Sequence, residues 1–349
     1  MGQDSKIQWT DDTWNPWRGC TKVSPGCKNC YAETLVMRRM KGGAYRKGVP
    51  RVRHTAATFD APLRWHKKPW VCDECGHASG GQFDECECGG VGSGVVKRHR
   101  RRVFALSLGD WLDDEVPVEW LGDMLTVIER CPNLDFLLLT KRPRNFQSRM
   151  KLVDRNAQQQ SAADLAVRWL EGEPPDNVWF GFSAENQEWF DARWAVARNI
   201  PARQLFVSFE PLLGPIVVSE DFWGNIQHST FNAQHRTGKP WGIIGGESGL
   251  KARACRAEWI GGLHAQFTWR KCPVFVKQMG SNVWSDTDDF NCAMSDLGER
   301  GVQWKAHLRD PHGSDPAEWP DDLRVRQWPD RAETFNAQPS TPNTEVKTT

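Results

Sequence analysis

Six short apolar runs recur along the chain, and each gives way to a polar cluster. They are VFALSL at 103–108, LDFLLLT at 134–140, VWFGFS at 178–183, QLFVSF at 204–209, WGIIGG at 241–246 and PVFVKQ at 273–278. Most are apolar on both faces, as a strand must be when helices cover both sides of its sheet. Between them lie stretches with helical spacing, at 118–130, 161–170, 186–198 and 258–270. Strands and helices alternating at this spacing predict repeated βαβ units and a parallel sheet. The clusters that end the runs are SLGDW, TKRP, SAEN, SFEPLLG, GGESG and KQMG. In such a fold they share one face, the C-terminal ends of the strands, where function collects. A single cluster reads as turn chemistry. Six that carry Ser, Asp, Glu and Lys read as a site.

Upstream of the first run, CTKVSPGCKNCY at 20–31 holds Cys20, Cys27 and Cys30 in the pattern Cys-x6-Cys-x2-Cys. Three thiols are one short of a structural zinc site, which takes four ligands. A distant residue would have to complete it, and His54 is the next histidine. The other reading is a [4Fe–4S] cluster held by three thiolates, with one iron left open to substrate. Pro25 and Gly26 suit a turn before Cys27, and 28–40 reads as a helix with Cys30 on its first turn.

The loop resembles that of the radical S-adenosylmethionine (radical SAM) superfamily, whose usual spacing is Cys-x3-Cys-x2-Cys; the first gap here is longer. The chain resembles more closely a phage-associated family of three-cysteine proteins related to those enzymes. That likeness is carried by WTDDTWNPWRGCTKVSPGCKNCYAE, TKRP, SFEPLLGPI, GGESG and DPAEWPDDLRVRQWP, in this order from residue 8 to about 329. It implies an α/β fold, a partial (β/α) TIM-like barrel of six to seven parallel strands. It also implies that Cys20, Cys27 and Cys30 hold a [4Fe–4S] cluster whose open iron chelates S-adenosylmethionine. Reductive cleavage would yield a 5′-deoxyadenosyl radical, with the electron supplied by a donor such as flavodoxin or ferredoxin. Carried over residue by residue, Ser107 and Asp110 meet the methionine amino group, and Ser183 and Glu185 meet the ribose. Gly245, Gly246, Glu247 and Ser248 meet the adenine or methionine moiety. Lys141, Arg142, Glu210 and Lys277 form either an ion-pair network at the barrel mouth or contacts to substrate. Cys255 is a candidate hydrogen-atom donor, set against the ordinary reading of a free cysteine as a small buried hydrophobe.

A second set of cysteines lies in VCDECGHASGGQFDECECGG: Cys72, Cys75, Cys86 and Cys88. Four thiolates in a glycine-rich segment with few apolar residues suit zinc, which would staple what cannot otherwise fold. The Cys-x-Cys half departs from the usual ribbon, and His77 is an alternative ligand. KRHRRR follows at once, with Lys97, Arg98, Arg100, Arg101 and Arg102. A basic run is usually a solvated face; beside a zinc ribbon it reads as a strip that meets phosphates.

The expected organisation is therefore 1–68 as the first part of the barrel with the cluster loop, and 69–102 as a small zinc-ribbon-like insertion with its basic strip. The rest of the barrel follows at 103–330, and 331–349 is a disordered tail rich in Pro, Thr and Asn. Charge is nearly balanced, with 45 Lys and Arg against 44 Asp and Glu, so whole-chain charge selects no partner. No apolar stretch reaches signal-peptide or membrane-span length, which predicts a soluble, cytoplasmic protein, in the host cytoplasm if phage-encoded. The 11 cysteines then read as thiols or metal ligands.

Three functions stand. One is a radical SAM enzyme acting on nucleic acid, for which the phage-family resemblance implies DNA base hypermodification, such as isomerisation of a modified pyrimidine substituent, with photoproduct repair or tRNA modification sharing the same parts. Another is a non-catalytic zinc protein that binds nucleic acid. The last is a radical SAM enzyme for a small molecule or a protein.

Overall fold

The computed structural model describes residues 2–39, 44–72, 75, 77–81, 86, 88, 96–98, 100–156, 158–224, 238–296 and 303–329. The proposed tail at 331–349 and His99 of the basic run lie outside them.

Seven strands, numbered along the chain, form one parallel sheet: β1 (Asp12–Thr13), β2 (Arg101–Ala105), β3 (Leu134–Thr140), β4 (Val178–Ser183), β5 (Gln204–Phe209), β6 (Trp241–Gly245) and β7 (Val274–Gln278). They stand in chain order, and the sheet curls into a half-barrel. Helices Val118–Glu129, Gln160–Leu170, Gln187–Ala197 and Ala257–Trp269 fall where helical spacing predicts them. Asn186 caps the third, its side chain accepting from the Trp189 N–H at 3.1 Å.

Side chains alternate between the two faces of the sheet, as the pleat requires. Val103, Phe136, Leu138, Phe180, Val207 and Val276 join the core beneath the helices. Phe104, Leu137, Trp179, Phe206, Trp241 and Phe275 fill the concave side, with Trp9 packed among them. This inner layer is so tightly filled that a Cβ on Gly181 would lie 2.2 Å from the Phe206 ring. The aromatic layer fills the concave side of the sheet, with Trp9 and Phe104 reaching the space at the strand ends.

The free edge of β7 is covered by the segment that the DLRVRQWP motif supplies. The Val276 N–H donates to the Val325 carbonyl at 2.8 Å, and the Gln327 N–H to that of Val274 at 2.9 Å. Trp328 then packs on Phe275 at 5.1 Å and donates to the Trp9 carbonyl at 3.3 Å. This strap ties the last strand to the chain that enters the first.

Three features correct the sequence reading. β2 begins at Arg101, so the barrel resumes inside the basic run and not at 103. The region 103–330 is not barrel throughout, because Cys255–Arg256, Val283–Ser285, Ala293–Asp296 and Trp304–His307 build a separate four-stranded sheet. Strand β1 and the helix Phe146–Asn156 are additional elements. The insertion forms a small three-stranded sheet from Trp70–Cys72, Ala78–Ser79 and Val96–Arg98. Among the described residues, no helix is long and apolar enough to cross a membrane.

Candidate functional site

A cavity of about 470 Å³ opens at the C-terminal ends of the strands, and Cys20, Cys27 and Cys30 line it together. Ser107, Asp110, Lys141, Arg142, Ser183, Gly246, Glu247, Ser248 and Lys277 also line it, joined by Glu210. Trp9, Phe104 and Leu139 form its apolar side. Residues as far apart in sequence as Trp9 and Lys277 thus converge on one space because each follows a parallel strand or enters the first.

Local chemistry shapes the loop. Pro25–Cys27 is a single 3-10 turn, with the Cys27 N–H donating to the Ser24 carbonyl at 3.0 Å. Cys30 precedes the helix Tyr31–Arg39 and does not lie within its first turn. Its carbonyl accepts the Thr34 N–H at 3.1 Å, and the Ala32 and Glu33 N–H groups face its sulfur. Burial raises the Cys30 thiol, and those two donors oppose it. Burial pushes the Cys20 thiol up to about 12 against the positive charge of Arg142.

Three strand ends hold this loop in place. After β3, Arg142 donates from Nη1 to Cys20 Sγ at 3.3 Å and to Asp110 Oδ2 at 2.9 Å, and from Nη2 to the Thr21 carbonyl. After β4, Glu185 is fully buried; it accepts from Arg193 Nη1 at 2.6 Å and from the Gly26 N–H at 3.1 Å. After β6, Glu247 accepts from Arg253 Nη2 at 2.6 Å and Asn29 Nδ2 at 3.0 Å, while Arg253 Nη1 reaches the Pro25 carbonyl at 2.9 Å. Burial works to raise both carboxyls. The Arg193 and Lys141 charges overcome it for Glu185, and hydrogen bonds from Arg253 and Asn29 overcome it for Glu247, so both lie below the ordinary glutamate value.

These contacts change several assignments. Glu185 is not among the cavity-lining residues; it clasps the loop and is not placed to meet a ribose. Asp110 lines the cavity, but its oxygens accept from Arg142, Thr140, Lys141 and Leu112, so it braces the wall. Gly245 and Gly246 serve packing: a Cβ would lie 2.9 Å from Glu210 Oε1 on the first and 2.0 Å from the Met279 carbonyl oxygen on the second. Cys255 is buried, its Cβ against Gly246, and it is not among the residues that line the cavity. Ser107 Oγ accepts from Asn15 at 2.9 Å and stays on the wall.

The cations differ in what they face. Lys277 Nζ meets Glu210 Oε1 at 2.7 Å. Lys141 Nζ meets only the Ser183 hydroxyl, at 3.0 Å, with no carboxylate within 4.0 Å among the described residues. An ammonium on a cavity wall that touches a hydroxyl and reaches Glu185 only through its field is suited to a second anion.

In the insertion, Cys72, Cys75, Cys86 and Cys88 place all four sulfurs within 4.8 Å of one another. The Cys72–Cys88 and Cys75–Cys86 sulfur distances are 3.7 and 3.4 Å. Thiolates about 2.3 Å from one tetrahedral ion stand about 3.8 Å apart, so this set fits a single metal. Among the described residues it is the one group of three or more such ligand atoms gathered this closely; the loop cysteines are spread wider. His54 is absent from the cavity lining, so it does not complete the trio.

The basic run is largely neutralised. Arg100 pairs with Asp135 at 3.5 Å, Arg101 with Asp12 at 2.6 Å and Asp4 at 2.9 Å, and Arg102 with Asp11 at 2.8 Å. These three arginines fix β1 to β2 and β3 and do not form a free phosphate strip. Lys97 and Arg98 lie in the insertion's third strand, their side chains outside the described set.

Sequence reasoning missed His312, which lines the cavity from the loop before the Trp319 turn. Its signal was a histidine between Pro311 and Gly313 in a tight turn, where Gly313 takes φ 63°. Asn29, Arg193 and Arg253 were also missed, since nothing in sequence pairs a loop with carboxylates more than 150 residues on.

Residues 4–312 match the model of a family described as "Protein of unknown function (DUF5131)". No curated protein and no solved structure matches the chain. The match runs from ahead of β1 to the loop that carries His312, and the chain belongs to the DUF5131 family.

Proposed function

We propose that the chain is a radical SAM enzyme in which Cys20, Cys27 and Cys30 hold a [4Fe–4S] cluster. The observation that supports this best is the arrangement of the trio. Three sulfurs line one cavity, spread wider than a single ion requires, and among the described residues no fourth ligand is gathered to them. A cluster of several irons is wider than one ion and holds its thiolates farther apart. Held by these three thiolates, such a cluster would supply the electron for reductive cleavage of S-adenosylmethionine.

The chain's own residues bind, orient and exclude water. Lys141 offers an ammonium to the cofactor's carboxylate, with Ser183 fixing its direction. Ser107 and Ser248 offer acceptors and donors on the wall, and the Trp9–Phe104–Leu139 side keeps water from the reacting carbon. The Glu210–Lys277 pair and His312 face the remaining volume, where substrate enters. The insertion cysteines hold zinc in this reading, as a closed structural site. Nucleic acid, DNA first, is the proposed substrate and a flavodoxin- or ferredoxin-type protein the electron donor. A base reaches such a cavity only outside its stack.

The test is made on anaerobically purified protein. Iron, sulfide and zinc are quantified, then reductant and S-adenosylmethionine are added and 5′-deoxyadenosine is assayed. About four irons, about one zinc and 5′-deoxyadenosine are expected. Zinc at both sites, with no iron taken up on reconstitution and no cleavage, would sink the proposal and leave a zinc protein that binds nucleic acid.

A further inference from the structure

Arg142 makes a contact that cofactor binding alone does not require. Its Nη1 lies 3.3 Å from Cys20 Sγ, and among the described residues it carries the charged group that hydrogen-bonds a sulfur of the loop. Both terminal nitrogens of the guanidinium, and the backbone N–H of the residue, are held. Asp110 Oδ2 accepts from Nη1 at 2.9 Å, the Thr21 carbonyl accepts from Nη2, and the Arg142 N–H donates to Thr140 Oγ1 at 2.8 Å. Asp110 is braced in turn by Thr140 Oγ1 at 2.7 Å, the Lys141 N–H at 2.9 Å and the Leu112 N–H at 3.0 Å. The side chain is 3% exposed, so water screens its field little.

We infer that Arg142 is a positioning residue for the cluster: it orients Cys20 and raises the potential at which the cluster accepts an electron. The inference rests on the radical SAM reading. A reduced cluster carries one more negative charge than its oxidised form. An N–H aimed at a ligand sulfur, on a fixed cation, therefore favours the reduced form. Lys141 also bears a positive charge nearby, but its ammonium bonds a hydroxyl and no sulfur. Asp110 offsets part of the guanidinium charge, so the directed N–H···S bond is the part that belongs to Arg142.

The experiment uses the full chain reconstituted with iron and sulfide, titrated with dithionite and followed by electron paramagnetic resonance, with iron measured on each sample. Arg142→Met leaves Asp110 as a buried orphan charge, so Asp110→Asn and the Asp110→Asn/Arg142→Met double variant are measured beside it. The expected result is a more negative midpoint in Arg142→Met, a smaller fall in Arg142→Lys, and a lower value in the double variant than in Asp110→Asn. Equal midpoints in the double variant and Asp110→Asn, with both loaded, would overturn the role of Arg142 and leave the cluster reading standing. A wild-type chain that takes up no iron would overturn both.

Discussion

The chain carries two sets of cysteines built on opposite plans. In the insertion, four sulfurs close on a point, two pairs of them 3.7 and 3.4 Å apart. The scaffold around them is three short strands, and the ligands come from a stretch of 17 residues, 72–88. In the N-terminal loop, three sulfurs ring a cavity and are held by Arg142, Arg193–Glu185 and Arg253–Glu247 from the ends of β3, β4 and β6. The first set is gathered within its own short segment; the second is held by the strand ends of the half-barrel. Ligands gathered to a point saturate a metal and close it to chemistry. Ligands spread over a preformed wall leave room for something else.

The sharpest way to break this comparison is to remove one ligand from each set. Cys27→Ala should lose essentially all iron and all S-adenosylmethionine cleavage while zinc stays at the wild-type level. Cys75→Ser should do the reverse, losing zinc while the cluster's electron paramagnetic resonance signal survives. Metal analysis of both variants checks this. Loss of both metals in either variant would show the two sites to be one cooperative unit.

A large effect is also expected from Glu185→Ala. The Glu185–Arg193 pair has side-chain exposures of 0% and 3%, so its partner would be left buried and uncompensated. Breaking such a pair costs about 3–5 kcal/mol. The variant should melt earlier than wild type and release iron faster to a chelator, with zinc retention unchanged. Equal iron release would mean that the loop, like the insertion, supports itself.

The same carboxylate sets a pH dependence. The folded value of Glu185 is depressed, so its contribution is fully present above the unfolded value of about 4.3 and is lost as pH falls through the folded value. Stability measured by denaturant between neutral and acid pH should therefore fall less steeply in Glu185→Ala than in wild type. Parallel curves would remove Glu185 from the acid limb.

The two plans were unequally legible in sequence. Six of the seven strands follow from runs mostly apolar on both faces, because burial between the helices and the aromatic inner layer writes itself into most positions. β1 is two residues long, Asp12 and Thr13, and owes its place to pairing with Val103 and Phe104, which no local pattern encodes. The four insertion cysteines were legible because a single ion draws its ligands from adjacent knuckles. The trio was legible as a site, but its supports were not. Glu185 and Glu247 look like cofactor contacts in SAEN and GGESG, and only the fold shows them turned toward Gly26 and Asn29. The basic run misled for a related reason: composition counts charges, and the carboxylates that neutralise Arg101 and Arg102 sit about 90 residues earlier, at Asp12 and Asp11.

That run gives the smallest effect, and it decides whether the insertion is a closed knuckle alone or also an arm that brings substrate to the open loop. If 97–102 met a single-stranded polyanion as a unit, its five Lys and Arg would steepen the plot of log affinity against log salt by about 3.5. Arg100, Arg101 and Arg102 are committed to Asp135, Asp12 and Asp11, so at most two of the five, Lys97 and Arg98, contribute. Neutralising those two should therefore flatten the slope by about 2 at most. Arg101→Met should lower the melting temperature instead, because it strands Asp12, whose side chain is wholly buried, and leave the slope where it was. Fluorescence anisotropy on a labelled single-stranded oligonucleotide across a salt series separates the two effects. A slope that flattens in Arg101→Met at unchanged stability would free that arginine for phosphate and make the insertion part of the substrate path.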